Sequence, residues 1–303
     1  MPGKQVTELD ALPSFTDNSL LPVHNGSGLK KGLLSQLANY LGTKFSNPNL
    51  LINPDFKINQ RGATSYENDS STSVNTYSVD RWSLYNHKLA VNSDKSITLS
   101  NTLYSDGVLS QILENAVEGD VTIQIYVADI SGLAKVLVMQ SDGVTVSDVG
   151  DLKKGLNVFH CNNGLKKIYI RILNGMITLK YVKAEQGSIA TAYVAPDLIE
   201  EYPKCQRYFQ YIPKLYCVPL VYTRNLIGVS EKFFQATSGN LPTEMRTTPT
   251  LTYKALGQSD NSTFTGSASF ELTSKSIDTI TLDRGISNFT ITINGITLDA
   301  EIY

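Results

Sequence analysis

Hydrolysis of a polysaccharide needs two carboxyl groups held roughly 5–10 Å apart across a groove, one as acid and one as base or nucleophile. The carboxylates that invite that reading are Asp55, Asp80, Glu185 and the neighbours Glu200 and Glu201. Glu200 and Glu201 are adjacent in a connector, where successive side chains diverge, so they do not read as a pair. His24, His87 and His160 stand alone, with no triad-like Ser, Cys or Asp arrangement and no His/Cys spacing suited to zinc. Cys161, Cys205 and Cys217 are an odd number at wide spacing without a CxxC pair, and read as reduced thiols. Trp82, the only tryptophan, could serve as a sugar-stacking platform. On an alternating strand, however, a ring of that size contributes most when buried, so it reads as core. The expectation is a protein that is not an enzyme, with no catalytic residues and no cofactor.

The elements that would position these residues are strands. From about 47 to 195 the dominant period is two: Val121, Ile123, Ile125 and Val127 alternate with Thr122, Gln124 and Tyr126, and Ile168, Ile170 and Ile172 with Tyr169 and Arg171. Each such strand is expected to bury one face. Asn174-Gly175 between two alternating runs predicts a type I′ hairpin joining strands near 167–173 and 176–183, and Asn294-Gly295 predicts a second turn. No βαβ rhythm is visible. The spacing fits an antiparallel β-sandwich, jelly-roll-like, followed after a connector by a second C-terminal β domain. The first 45 residues differ: an extended stretch leads through His24-Asn25-Gly26-Ser27-Gly28 into one apolar stripe, Leu33, Leu34, Leu37, Tyr40 and Leu41, ending at Gly42. That spacing predicts one amphipathic helix over about 33–41. A helix so short is marginal alone, so it reads as a docking element.

Across 303 residues, 26 Lys+Arg against 28 Asp+Glu leave a net charge of −2, and charged residues make up only 18%. Globular chains average about 25%. No broad attraction to nucleic acid or anionic lipid is built in. No apolar leader and no run of about 18 apolar residues is present, so neither export nor membrane insertion is expected. The sparse charge on strands rich in Thr, Ser and Asn leaves edges that closure against other copies would protect.

Several blocks then resemble bacteriophage virion fibres and receptor-binding proteins. Asn49-Leu50-Leu51-Ile52-Asn53-Pro54-Asp55-Phe56, Gln60-Arg61-Gly62 and Tyr77-Ser78-Val79-Asp80-Arg81-Trp82 are similar to their N-L-L-x-N-G-D-F, Q-R-G and Y-x-x-D-R-W, with Pro54 in place of the glycine. Val182 to Thr191, with Glu185, resembles the segment that closes a carbohydrate-binding-module-like jelly roll. Cys205-Gln206-Arg207-Tyr208-Phe209 and 241–249 resemble their C-terminal domain, and 6–9 with 17–23 a virion-anchoring segment. The resemblance implies an anchor over 1–45, a jelly roll over 46–198 and a C-terminal β domain over 199–303. It implies a homotrimeric fibre on tail, head or collar, made in the host cytoplasm and carried on the virion. Leu33, Leu37, Tyr40 and Leu41 would hold capsid, collar or tail proteins, and the β-domains would meet host-surface glycans.

In that resemblance Asn53, Asp55, Phe56, Gln60, Arg61, Asp80, Arg81, Trp82 and Glu185 are structural, with Arg61 and Asp55 the natural charge partners of Asp80 and Arg81. A structural calcium ion is admitted through Asn53, Asp55 and Glu185, because jelly rolls often carry one. A tailspike-like depolymerase and a purely structural capsid decoration protein are the alternatives.

Overall fold

Runs in which every second residue is apolar become strands because the pleat sends alternate side chains to opposite faces, and the computed structural model carries that pattern through most of the chain. It describes residues 20–24, 29–33, 37, 45–68, 76–101, 107–217, 221–222, 233–235, 239–258, 268–282 and 291–301. In chain order the first strands are β1 (Leu20–His24), β2 (Leu29–Leu33), β3 (Ser65–Glu67), β4 (Thr76–Tyr77), β5 (Ser83–Tyr85), β6 (His87–Val91), β7 (Ile97–Asn101), β8 (Gly107–Val117), β9 (Val121–Met139), β10 (Val146–Asp151), β11 (Gly155–Cys161) and β12 (Leu165–Gln186). Helix α1 (Leu198–Gln206) follows, and then β13 (Phe209–Cys217), β14 (Val221–Tyr222), β15 (Phe233–Gln235), β16 (Gly239–Asn240), β17 (Thr250–Thr252), β18 (Ala255–Gln258), β19 (Ala268–Leu272), β20 (Ser276–Leu282) and β21 (Ile291–Asp299).

Strands β3 to β12 form a ten-stranded antiparallel sheet whose spine is β12. The first half of β12 lies between β8 and β9, and its second half between β7 and β9. By changing partner half-way, one strand ties both parts of the sheet around a single core. Leu89 and Leu99, Leu109, Ile123 and Ile125, and Ile168, Ile170 and Leu179 are all wholly buried in it. Beyond α1, β21 runs between β13 and the pair β17 and β18, and a five-stranded sheet forms around β20. A smaller core of Leu241, Met245, Ile277, Ile296, Leu298 and Ala300 serves this part. The fold is mainly β, an antiparallel sandwich of the jelly-roll kind with a second β region.

Neither Asn-Gly pair makes a hairpin. β12 runs straight through Asn174-Gly175, opposite Leu133 and Gly132 of β9, with a bulge between Ile172 and Asn174. β21 runs through Asn294-Gly295 in unbroken register with β13. Asn-Gly signals tolerance of positive φ, and a positive-φ residue serves a bulge as readily as a two-residue turn. Gly175 sits at φ +81, and a Cβ there would lie 1.8 Å from the Ser131 carbonyl oxygen, so the strands meet only because both sides are glycine. Long-range pairing with β9 outweighs the local turn signal.

The chain before 45 is also corrected in part. Leu33 is the last residue of β2, paired with Leu20 of β1 in an antiparallel ladder that satisfies its backbone groups. Leu37 is helical and exposed; Leu34, Tyr40 and Leu41 lie outside the described residues. The stretch read as a connector contains α1. Asp197 caps it, accepting a 2.8 Å hydrogen bond from the Ile199 N–H, and Glu200 and Glu201 occupy its first turn. An Asp three residues before a Glu is a capping signature; Pro203, inside the helix, obscured it.

Candidate functional site

The motif blocks converge where the sandwich meets α1 and the C-terminal sheet. Asp80-Arg81-Trp82 is a turn and not a strand: the Trp82 N–H donates to the Val79 carbonyl (3.0 Å), with Arg81 at φ +71. Asn53, at φ +54, clasps the facing turn. Its side-chain amide donates to the carbonyls of Ile58 (2.8 Å) and Asp80 (3.0 Å), and its Oδ1 accepts from the Ile58 N–H (3.0 Å). The left-handed residues of this block are Asn53 and Phe56 (φ +61), so position 54 between them accepts proline. Trp82 is wholly buried, its Nε1 donating to the Asn53 carbonyl (2.9 Å) and its ring 5.2 Å from that of Phe56.

Four charges fill the junction. Arg61 pairs with Asp80 at 3.2 Å and lies 3.6 Å from Glu301, while Arg81 is in direct contact with Glu301. Arg81 also donates to the Ile112 carbonyl (2.8 Å) and lies 3.6 Å over the Tyr208 ring; Arg61 lies 3.8 Å over Phe209. Gln60 donates to the Phe209 carbonyl (2.8 Å), and the Asn53 N–H to Glu201 of α1 (2.7 Å). Of the two pairings expected, Arg61 with Asp80 is present, whereas Arg81 takes Glu301 and Asp55 takes Lys57 (2.6 Å). The positive φ at Arg81 turns its side chain toward Glu301, just beyond β21, a partner 220 residues away.

Burial pushes the Asp80 carboxyl up to about 6 from an ordinary value of 3.8, against the opposing pull of Arg61. Burial also raises Glu301, against Arg81 and Arg61. The folded chain thus holds a proton on Asp80 that the unfolded chain releases between pH 3.8 and about 6. The stability tied to this proton is full below pH about 4 and lost as pH rises through about 6, a change on the order of 3 kcal/mol. Comparing Asp80→Asn with the parent by thermal melting from pH 4 to 7 should show the parent losing ground steadily. A constant difference across that range would contradict the assignment.

A second polar cluster closes the sandwich. Val121 to Ile125 are buried on both faces, contrary to the one-faced expectation, because the segment after β12 folds over the polar side. There the Lys183 ammonium lies 3.1 Å from Glu185 and donates to the Thr191 hydroxyl (2.6 Å). Gln124 donates to Glu185 and to the Thr191 carbonyl (both 2.7 Å), and the Thr191 N–H donates to Glu185 (2.8 Å). With the Thr191 hydroxyl also donating to it, Glu185 is committed to a cation and three donors, and Asn53 to its own turn and the facing one. The calcium set Asn53, Asp55 and Glu185 is not assembled, and among the described residues no three His, Cys, Asp or Glu side chains are grouped to hold a metal ion. Cys161 and Cys205 are free, buried thiols.

The buried carboxylates of the junction all face partners: Asp80 and Glu301 face arginines, and Glu201 accepts from Lys204 (2.8 Å) and from the Asn53 N–H. One open feature nearby is a cleft of about 410 Å³ between the start of the sandwich, residues 193–197 and α1, lined by Asn47, Tyr193, Asp197, Glu200 and Lys204 among others. Glu301, Lys183, Gln124 and Tyr193 were not legible as site residues. For Lys183 and Glu185 the signal was their i, i+2 spacing on a strand; Glu301 gave none.

No family model and no curated protein matches the chain. Among solved structures it is similar to a family 29 carbohydrate-binding module at 12% identity, over 44% of this chain and 93% of that one, with a TM-score of 0.29. A variant of such a module matches at 13%, over 45% and 100%, with a TM-score of 0.30. Another, complexed with mannohexaose, matches at 12%, over 44% and 96%, with a TM-score of 0.29. Among the described residues no helix is long and apolar enough to cross a membrane.

Proposed function

We propose that this chain is a structural component of a bacteriophage virion: a non-enzymatic, homotrimeric fibre anchored through residues 1–45, which displays its sandwich and C-terminal β domain for adhesion to host-surface glycans. The observation that carries this reading is the ordered series of fibre-like motifs along the chain. The side chains of the 49–62, 77–82 and 205–209 blocks meet at one junction, where they join the sandwich to α1 and to the segment after β21. Residues spent on that joint serve architecture. A depolymerase would instead hold a pair of carboxylates free in a groove, whereas Asp80, Glu185, Glu201 and Glu301 each face a cation and Asp197, at the cleft, is taken up in capping α1.

Three copies of a 33.3 kDa chain make a particle of about 100 kDa. Light scattering at micromolar concentration should report that mass, and a monomer would overturn the trimer. Deleting 1–45 should leave a folded assembly of 46–303 that no longer enters particles. Truncated chains at normal copy number in purified virions would place the anchor elsewhere, and release of reducing ends from host polysaccharide would restore the depolymerase reading.

A further inference from the structure

We infer that a row of aromatic side chains on the outer face of the sandwich, leading into the cleft beside α1, is a binding site for a neutral glycan chain. This rests on the adhesive reading above and names the place where it acts. Ile125 and Val127 point into the core, so Tyr126 between them faces outward, and its register partner Tyr181 on β12 faces the same way. Their rings lie 5.6 Å apart. Tyr193, in the closing segment, stacks on Tyr181 at 3.8 Å with the planes 3° apart. On the other side of Tyr126, β11 places Leu156 opposite it, 54% exposed. The row crosses β11, β9, β12 and the closing segment, three steps of about 4.8 Å, or roughly 15 Å.

That length spans more than one sugar ring. An aromatic face is electron-rich, and the C–H bonds on one side of a pyranose present the complementary positive edge, while the hydroxyls around its rim need hydrogen-bond partners. Tyr193 joins both kinds of surface, since it stacks in the row and also lines the cleft with Asn47, Asp197, Glu200 and Lys204. Burial, with the negative charge of Asp55 beside it, holds its phenol well above the usual range, so Tyr193 stays neutral.

Charge decides the class of glycan. Lys204 is paired with Glu201 at 2.8 Å and Lys183 with Glu185 at 3.1 Å, so the cations of the cleft are already neutralised. Asp197 and Glu200 add negative charge at the same rim. Uronate- or sialate-rich chains are repelled there, and neutral hexose polymers are not.

The test uses the full-length protein on an array carrying neutral hexose oligosaccharides beside uronate- and sialate-bearing ones. The parent should bind neutral chains. Tyr126→Ala and Tyr193→Ala should weaken that binding by about tenfold or more, the scale of losing one aromatic anchor, with melting temperature unchanged for Tyr126→Ala, whose ring is on the surface. If Tyr193→Ala fails to fold, Tyr126→Ala and Leu156→Ser decide the matter. Neutral-glycan binding that survives these surface substitutions overturns the site and leaves adhesion standing. Binding of acidic chains alone overturns the assigned class, and binding of no glycan overturns site and adhesion together. Incorporation of the chain into particles tests the virion reading separately.

Discussion

Replacing Trp82 by alanine lowers the unfolding free energy by about 3–5 kcal/mol, the range for deleting a large buried aromatic. The ring has no exposure, packs on Phe56, and its indole N–H donates to the Asn53 carbonyl, so truncation leaves a cavity and removes one of the two hydrogen bonds that this carbonyl accepts, the other coming from the Phe56 N–H (3.3 Å). Trp82→Phe retains part of the packing and loses the hydrogen bond, and its cost should fall between those of parent and alanine. Urea unfolding of the three proteins gives the ranking. A loss below about 1 kcal/mol for the alanine variant would contradict the placement of the ring in the core. Asn53 sits at φ +54 and Phe56 at φ +61, uncommon for non-glycine residues, and both rely on this packing to stay there.

Glu301→Ala should cost a similar amount, about 3–5 kcal/mol, because breaking a buried ion pair from one side leaves an uncompensated charge. Arg81 is 1% exposed, and after the change its remaining contacts are the Ile112 carbonyl and the Tyr208 ring. Arg61 loses one of its acidic neighbours at the same time. The double variant Arg81→Met with Glu301→Leu removes both charges and should recover most of the loss, since apolar replacement of a buried pair is often neutral or stabilising. The effect has a spatial signature as well. Glu301 belongs to the C-terminal part and Arg81 to the sandwich, so calorimetry of Glu301→Ala should show the two parts melting in separate steps where the parent melts in one. A single unbroken transition, or a cost below about 1 kcal/mol, would mean that the remaining contacts, among them Arg61, Gln60 with Phe209 and Glu114 with Arg207 and Tyr208, suffice to join the parts.

The sequence by itself determined that the chain is β, antiparallel and built around alternating apolar runs, because period-two patterning is local and each residue reports its own face. Ile168, Ile170 and Ile172, read as inward from spacing, lie in the core at 1% exposure or less. The pairing of Arg61 with Asp80 was legible too, since both sit in neighbouring motif turns. Which strands pair was not. Asn174-Gly175 and Asn294-Gly295 each carry the strongest short-range hairpin signal, yet both lie within continuous strands, because cooperation along β9 and β12, or β13 and β21, exceeds what one turn offers.

Leu33 likewise left its helical stripe for a strand, with Leu20 of β1 as its antiparallel partner. Pro203 hid a helix whose cap, Asp197, was visible. Only the tertiary structure brought Glu301 to Arg81 across 220 residues, folded Thr191 over Lys183 and Glu185, and stacked Tyr193 on Tyr181. A charge or ring reads alike whether its partner is near or far along the chain. Burial, which decides whether that partner matters, belongs to the assembled core and not to any segment of sequence.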